Sequence, residues 1–236
     1  MAGGIYIMLS SGKERILIIA PHADDEVLGC GGLIEKARRL NNQVKVVVMA
    51  VGDIKHPHHD EVISWKVRKK ELKDAMEYLS CYDFQVIYHD KDALLDTIPK
   101  KEIISKIDQL INEYHPTMVF IPLPSYHQDH KVLYEACFSA LRPNPNRGIL
   151  KLIAMYEYPL ISWQYEQFWN TGELYLDISR TVQKKIEALR KHKSQLRPPN
   201  HLISLESVEK WAAMRGLEVG LEYAEKYYIL RTVIFE

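Results

Sequence analysis

The chain has 236 residues, of which 31 are basic and 31 acidic, so its formal net charge is zero. This balance gives no electrostatic reason to expect nucleic acid or an anionic membrane as a partner. The three cysteines show no paired spacing, which argues against a disulfide framework or a cysteine zinc site, and no apolar run is long enough to span a membrane. We therefore expect a cytoplasmic protein whose ligand is small or neutral.

Short runs rich in valine and isoleucine alternate along the chain with longer amphipathic segments. Such alternation is typical of β-α units that build an α/β fold with a mainly parallel sheet. The runs are continuously apolar, as strands buried on both faces should be. In chain order, the pattern predicts a strand at 15–20, a helix at 32–40, a strand at 44–51, a helix at about 61–79, a strand at 85–88, a helix at 100–114, a strand at 117–123 and a helix that starts near Lys131.

Beyond Pro143 the pattern is less regular. It predicts strands near 150–156 and 174–178, helices at 182–195 and from 208, and a last strand at about 227–235. The proline-containing segment 197–200 is interpreted as a surface loop, since the roughly forty residues after it are too few for a separate domain. We therefore expect a single domain over residues 1–236, with residues 1–14 as a loosely ordered N-terminal extension.

Two polar segments follow predicted buried strands. The segment 21–26 reads Pro-His-Ala-Asp-Asp-Glu and follows the first strand, whereas 127–130 reads His-Gln-Asp-His and follows the fourth. In an open parallel sheet, ligands bind in the crevice at the carboxyl ends of the strands. The two segments can therefore converge on one site, although about a hundred residues separate them along the chain.

The two segments contain the ligands of a catalytic metal site. His22, Asp25 and His130 provide the two imidazoles and one carboxylate that such a zinc site uses, with a further position left for water. This set leaves positive charge on the metal, which can lower the pKa of bound water to about 7. Zinc is the expected cofactor, and the same ligands also suit ferrous iron or another divalent ion.

Three further side chains complete the functional groups of an amidase. Asp24 is the candidate base that takes a proton from the attacking water. His127 is the candidate donor to the oxygen of a tetrahedral intermediate, with Asp129 holding its ring or raising its pKa. Taken singly, an Asp-Asp pair often caps a helix and loop histidines are often solvated. Their joint occurrence after two buried strands favours a metal-dependent hydrolase.

Other clusters are weaker candidates. The histidine-rich segment 56–60 is interpreted as a solvated loop, and Cys30 as a packed residue rather than a nucleophile. The glycines at 29–32 do not form a nucleotide-binding fingerprint, because Ile34 stands where glycine is required. This disfavours an oxidoreductase or a methyltransferase. The aromatic-rich stretch 156–169 has two open interpretations, a sugar-stacking surface and a buried core.

On these residues the chain resembles the LmbE-like, or PIG-L, family of zinc-dependent N-acetyl-sugar deacetylases, over nearly its whole length. The first family signature, (A/P)HPDDE followed by a glycine-rich turn, appears at 20–29 with Ala23 in place of the usual proline. The second signature, HxDH, appears at 127–130. The resemblance implies a Rossmann-like three-layer sandwich, with His22, Asp25 and His130 as zinc ligands, Asp24 as general base and His127 as oxyanion partner.

The resemblance also implies a substrate contact. An R-x-x-E pattern typical of the family appears as Arg68 to Glu71, which implies that Arg68 faces substrate or product acetate. A solvated, lysine-rich helix face would give the same pattern. The segments 185–195 and 215–225 resemble a branch associated with bacterial surface sugars and secondary metabolites, without indicating a role in the mechanism.

The implied activity is removal of an N-acetyl group from an N-acetylglucosamine-like sugar or sugar conjugate by metal-activated water. One alternative is an amidase that acts on a sugar-thiol, lipid-linked or antibiotic-precursor amide. The other alternative is a sugar- or metal-binding protein without turnover. Relatives commonly form symmetric homo-oligomers, but no interface can be identified in this sequence.

Overall fold

The computed structural model describes residues 8–55, 62–148, 150–163 and 171–234. The histidine-rich segment 56–60 and the aromatic residues at 164–170 lie outside the described residues. Within them, one seven-stranded sheet has the order β3-β2-β1-β4-β5-β7-β6. Its strands are β1 (Arg15–Ala20), β2 (Gln43–Val51), β3 (Asp83–His89), β4 (Met118–Pro122), β5 (Leu152–Tyr156), β6 (Gly172–Asp177) and β7 (Ala224–Thr232).

Helices cover both faces of the sheet, so the fold is a three-layer α/β sandwich as predicted. The helices are α1 (Asp25–Arg39), α2 (Trp65–Tyr78), α3 (Lys100–Tyr114), α4 (Gln128–Ala140), α5 (Val182–Leu189) and α6 (Leu205–Leu217). Along β1, Ile16 and Ile18 belong to the hydrophobic cluster that includes residues of α1, α2, α5 and α6, whereas Leu17 and Ile19 belong to the cluster that includes residues of α3 and α4. Both faces of the strand are therefore buried, which explains its continuous apolar run.

Strands β1 and β4 lie side by side in the centre of the sheet and run parallel. Strands β2 and β3 extend the sheet on one side of this pair, and β5 extends it on the other. The connections after β1 and β4 therefore diverge to opposite faces, which opens a crevice at the carboxyl ends of these two strands. The predicted convergence of the two polar segments is confirmed. Strand β7 is antiparallel to β5 and to β6.

Two helices begin earlier than their sequence pattern predicts. Helix α1 begins at Asp25 rather than at Gly32, and α4 begins at Gln128 rather than near Lys131. The glycines of α1 resemble a turn, but they lie inside the helix where neighbouring side chains approach closely. A Cβ atom at Gly32 would lie 2.5 Å from Cγ2 of Ile178. As a result, Asp25 and His130 belong to first helical turns rather than to free loops.

The predictions for the segment 182–195 and for the N-terminal extension also differ from the structure. The segment 182–195 is not one helix, since α5 ends at Leu189 and a 3-10 turn follows at Lys193–Gln195. The described part of the predicted N-terminal extension is packed, because Leu9 is fully buried and its carbonyl accepts a 2.8 Å hydrogen bond from Asn42. None of the described helices is long and apolar enough to cross a membrane.

We expect Gly29→Ala to destabilise the fold by about 1–3 kcal/mol or more. A Cβ atom at Gly29 would lie 2.1 Å from the ring of Tyr156, which is fully buried and donates a hydrogen bond to Ile19. This overlap outweighs the roughly 1 kcal/mol by which alanine favours a helix over glycine. Urea unfolding measures the loss, with Gly172→Ala as control because its Cβ would meet Ile229 only at 3.6 Å. Equal unfolding midpoints for the two variants would contradict the close packing.

Candidate active site

His22 follows β1 directly, and two carboxylates fix its ring. Its Nε2 lies 2.8 Å from Oδ2 of Asp129, and its Nδ1 lies 3.5 Å from Oδ2 of Asp25. The hydrogen bond to Asp129 turns the second ring nitrogen towards Asp25. Burial lowers the pKa of His22, but the surrounding carboxylates, led by Asp92, outweigh this and raise it to about 10.

The first turn of α4 brings His130 to the same point. Its Nε2 lies 3.3 Å from Oδ2 of Asp25, and its ring packs against Tyr158 with the centroids 4.8 Å apart. The Nδ1 atom of His130 is buried and has no hydrogen-bond partner among the described residues. Burial raises the pKa of Asp25, but His130 and His22 lower it more strongly, so the net shift is downward. Asp25 is therefore a carboxylate held between two imidazoles.

Among the described residues, two sets of side chains lie close enough to hold a metal ion: His22, Asp25 and His130, or His22, His127 and Asp129. In the first set, the separations of 3.5 and 3.3 Å between donor atoms fit the ~3.3 Å expected for ligands about 2.0–2.1 Å from a tetrahedral ion. In the second set, the 2.8 Å contact between His22 and Asp129 is a hydrogen bond. The first set therefore fits a metal of the zinc type better.

Buried negative charge gives a second reason to expect a cation. Asp24, Glu26 and Asp129 are at most 9% exposed, and the side chain of Asp92 is equally buried. Buried carboxylates are costly unless positive charge or hydrogen bonds compensate them. The guanidinium of Arg68 pairs with Asp92. A bound divalent cation would compensate the carboxylates nearest to the histidines.

Asp24 occupies the N-cap position of α1, but its side chain does not cap the helix. Its backbone has φ 127° and ψ −30°, a region that costs a non-glycine residue about 1–3 kcal/mol. Its N–H donates a 2.9 Å hydrogen bond to Oε2 of Glu26. Burial and the neighbouring Asp25 raise the pKa of Asp24 to about 7. The capping interpretation is thus wrong for the side chain of Asp24, whereas Asp25 and Glu26 do place acidic groups in the first turn of the helix.

His127 is the N-cap residue of α4, and its Nδ1 accepts a 3.2 Å hydrogen bond from the backbone N–H of Asp129. A neutral imidazole that accepts at Nδ1 carries its proton on Nε2. Burial and the charges of His22 and His130 lower the pKa of His127, which favours this neutral form. His127 therefore presents an N–H donor beside the candidate metal ligands.

The predicted contact between the carboxylate of Asp129 and the ring of His127 is not formed. Oδ2 of Asp129 contacts His22 instead, and Oδ1 accepts a 3.0 Å hydrogen bond from the N–H of Leu95. The reason lies in helix geometry, because the free N–H groups of a first turn point back at the N-cap side chain. Asp129 thus orients His22, while its backbone orients His127.

Arg68 lies on α2 and is 2% exposed, whereas Lys66 and Lys69 of the same helix are exposed. Its guanidinium forms an ion pair with Asp92 and donates a 3.3 Å hydrogen bond to the carbonyl of Gly52. Its positive charge also lowers the pKa of Asp24. The interpretation as a solvated helix face is therefore wrong, and Arg68 belongs to the walls of the site.

Sequence reasoning missed Asp92, a buried residue of the site. Asp92 follows β3 and lies 3.9 Å from Nε2 of His22, so its place after a third parallel strand was a usable signal. Tyr158 belongs to the aromatic-rich stretch 156–169, and it is buried with its hydroxyl 3.0 Å from Oγ of Ser125, which agrees with the buried-core interpretation at this position. Cys30 agrees with its interpretation as a packed residue, since it is fully buried and burial raises the pKa of its thiol.

Fold and site together define a mainly parallel α/β protein with a candidate His-Asp-His metal centre where β1 and β4 meet. The family model described as "PIG-L: GlcNAc-PI de-N-acetylase" matches residues 17–141, which is more than half of the chain. The chain belongs to the PIG-L family. The resemblance seen in its two signatures is thereby confirmed.

Known proteins resemble the chain over most of its length. A probable N-acetyl-alpha-D-glucosaminyl L-malate deacetylase 2 of Bacillus cereus is 28% identical over 196 residues, which cover 78% of this chain and 84% of that protein. The N,N'-diacetylchitobiose deacetylase of Pyrococcus horikoshii has a TM-score of 0.73 at 23% identity, covering 92% of this chain and 84% of that one. GalB, the 4-carboxy-2-hydroxymuconate hydratase of Pseudomonas putida, has a TM-score of 0.73 at 18% identity, covering 94% and 98%. Because this fold occurs in deacetylases and in a hydratase, it does not by itself decide the reaction.

Proposed function

We propose that this chain is a zinc-dependent hydrolase that removes the acetyl group from the nitrogen of an N-acetylglucosamine-like sugar or its conjugate. One observation carries this proposal. The His22, Asp25 and His130 set lies in the same crevice as Asp24, a buried carboxylate that caps no helix. The substrate class is supported by relatives that are named as deacetylases of N-acetylated sugars.

In this proposal His22, Asp25 and His130 hold the metal. Two imidazoles and one carboxylate are a ligand set of catalytic zinc sites, and ferrous iron is the alternative ion. When bound, the ion polarises a carbonyl oxygen and lowers the pKa of water. Asp129 supports the site by accepting a hydrogen bond from Nε2 of His22, which leaves Nδ1 to face Asp25.

Asp24 is the proposed general base. Its carboxylate is buried and has its pKa raised to about 7, so it can accept a proton from water near neutral pH and pass it on to the leaving amine. His127 is the proposed oxyanion donor. Its Nδ1 is occupied by a backbone N–H, so Nε2–H is the group that can stabilise the oxygen of a tetrahedral intermediate.

Arg68 and Asp92 are the proposed contacts to the sugar. They form a buried ion pair in which the guanidinium offers donors and the carboxylate offers acceptors side by side. Neighbouring hydroxyl groups of a sugar ring present the complementary acceptors and donors. The Nε atom of Arg68 is buried and has no hydrogen-bond partner in the part of the chain that the structure describes.

Acetate release by zinc-loaded protein tests the proposed function. The substrates are N-acetylglucosamine, N,N'-diacetylchitobiose and N-acetyl-α-D-glucosaminyl L-malate, and we expect at least one to give acetate and free amine in equal amounts. A second arm offers 4-carboxy-2-hydroxymuconate, because a structural neighbour is named as its hydratase. Zinc binding without acetate from any sugar would overturn the proposed reaction. Consumption of the muconate alone would assign a hydratase instead.

A further inference from the structure

The turn that follows α5 reaches the site from the far end of the chain. His192 is fully buried, and its Nε2 lies 2.9 Å from Oε1 of Glu26. The other oxygen of the same carboxylate, Oε2, accepts the backbone N–H of Asp24 at 2.9 Å. One buried carboxylate therefore connects His192 to the backbone of the proposed general base.

Asp24 needs such support because of its backbone conformation. Its φ of 127° lies in a region that favours glycine, and its side chain makes no capping hydrogen bond that would hold it there. A strained conformation persists only where its surroundings enforce it. Glu26 provides that enforcement at the N–H of Asp24, and Glu26 is itself fully buried. A buried carboxylate needs its own partner to stay in place, and His192 is that partner.

We propose that His192 is a positioning residue for the deacetylation proposed above. It holds Glu26, Glu26 holds the backbone of Asp24, and this backbone sets the direction of the Asp24 carboxylate relative to His22 and Asp25. The hydrogen bonds of His192 go to Glu26, Leu189 and Gln195 rather than to the candidate metal ligands, so we expect its effect to pass through Asp24. The inference rests on the proposed function for its kinetic consequence, but its structural part is independent of any activity.

A neighbouring pair in the same turn supplies a matched control. Ser194 donates two hydrogen bonds to Glu71, from its N–H to Oε1 at 2.9 Å and from its hydroxyl to Oε2 at 2.6 Å. These bonds anchor the turn on α2 and do not involve Glu26. Ser194→Ala therefore removes two buried hydrogen bonds beside His192, the one its hydroxyl donates to Glu71 and the one it accepts from Gln195, while leaving the connection to Asp24 intact. A purely structural role of the turn predicts the same outcome for both positions.

The kinetic test uses zinc-loaded protein and the N-acetyl sugar that wild type deacetylates fastest. We expect His192→Leu to lower kcat about 10- to 100-fold, the loss that a misplaced reacting group causes, with KM within about threefold and full zinc content. His192→Gln, whose amide N–H can still reach Glu26, is expected to restore kcat to within about threefold of wild type. Ser194→Ala is expected to keep kcat. Loss of zinc from His192→Leu, or an equal loss of kcat in Ser194→Ala, would overturn the inference.

Hydrogen exchange at the N–H of Asp24 gives a second readout that needs no turnover. We expect its protection in the zinc-loaded protein to fall in His192→Leu and to remain in His192→Gln and Ser194→Ala. Unchanged protection in His192→Leu would refute the role of His192 even where sugars are deacetylated. A selective fall would support it even where none is, in which case only the proposed function fails. His192→Asn, polar but too short to reach Glu26, replaces the leucine variant if that variant does not fold.

Discussion

Asp24→Asn is expected to lower kcat for acetate release by about 10²- to 10⁴-fold while the protein keeps its metal. Asparagine has nearly the same shape as aspartate and preserves the N–H that donates to Glu26, but its side chain cannot accept a proton at neutral pH. Because Asp24 is not part of the proposed ligand set, metal content should not change. Initial rates of acetate release and the metal bound per chain, measured on the same preparation, check both parts.

The matched control for this variant is Asp83→Asn. Asp83 is the first residue of β3, so it lies at the amino ends of the parallel strands, away from the crevice at their carboxyl ends. Its half-exposed carboxylate lies 2.8 Å from Nζ of Lys45. Such exposed pairs contribute little, so we expect kcat within about twofold of wild type. If Asp24→Asn retained the wild-type rate, a different base or a binding protein without turnover would be indicated. If it lost the metal as well as the rate, Asp24 would be a ligand rather than a base.

His130→Ala is expected to lower metal affinity at least about 100-fold and to abolish acetate release with it. The substitution removes the Nε2 atom that lies 3.3 Å from Asp25, so one of three proposed ligands is lost. Competition with a chelator of known affinity measures the metal affinity. Asp129→Asn is expected to weaken metal binding by about 10- to 100-fold. The carboxylate of Asp129 orients the ring of His22 but is not itself a ligand in the proposed set.

His127→Ala distinguishes the two possible ligand sets, and His201→Ala is its control. His127→Ala should keep the metal and lose activity, since its ring is proposed to face the substrate rather than the ion. His201→Ala should change neither property, because His201 is exposed and lies outside both sets. Metal loss in His127→Ala together with metal retention in His130→Ala would move the site to His22, His127 and Asp129.

The amino-acid pattern alone predicted the fold class and the two polar segments of the candidate site, but not Asp92. A continuous apolar run predicted β1 with the bounds 15–20 that the structure shows, and an amphipathic pattern predicted α3 with the bounds 100–114. Both segments have local boundaries, since polar residues precede the first and Pro116 follows the second. The two polar segments were predicted to converge because the carboxyl ends of parallel strands share one edge of a sheet, and parallel strands follow from the β-α alternation of the sequence.

Tertiary structure alone decided which side chains contact each other within that site. His22 and Asp129 are 107 positions apart in the chain, and Glu26 and His192 are 166 apart, so no local pattern pairs them. The early start of α1 was equally hidden, because its glycines resemble a turn and the reason for them is tertiary: a Cβ atom at Gly29 would overlap Tyr156 of β5, and one at Gly32 would overlap Ile178. Local propensity and periodicity describe neighbours along the chain, whereas these contacts arise only once the sheet has brought distant segments together.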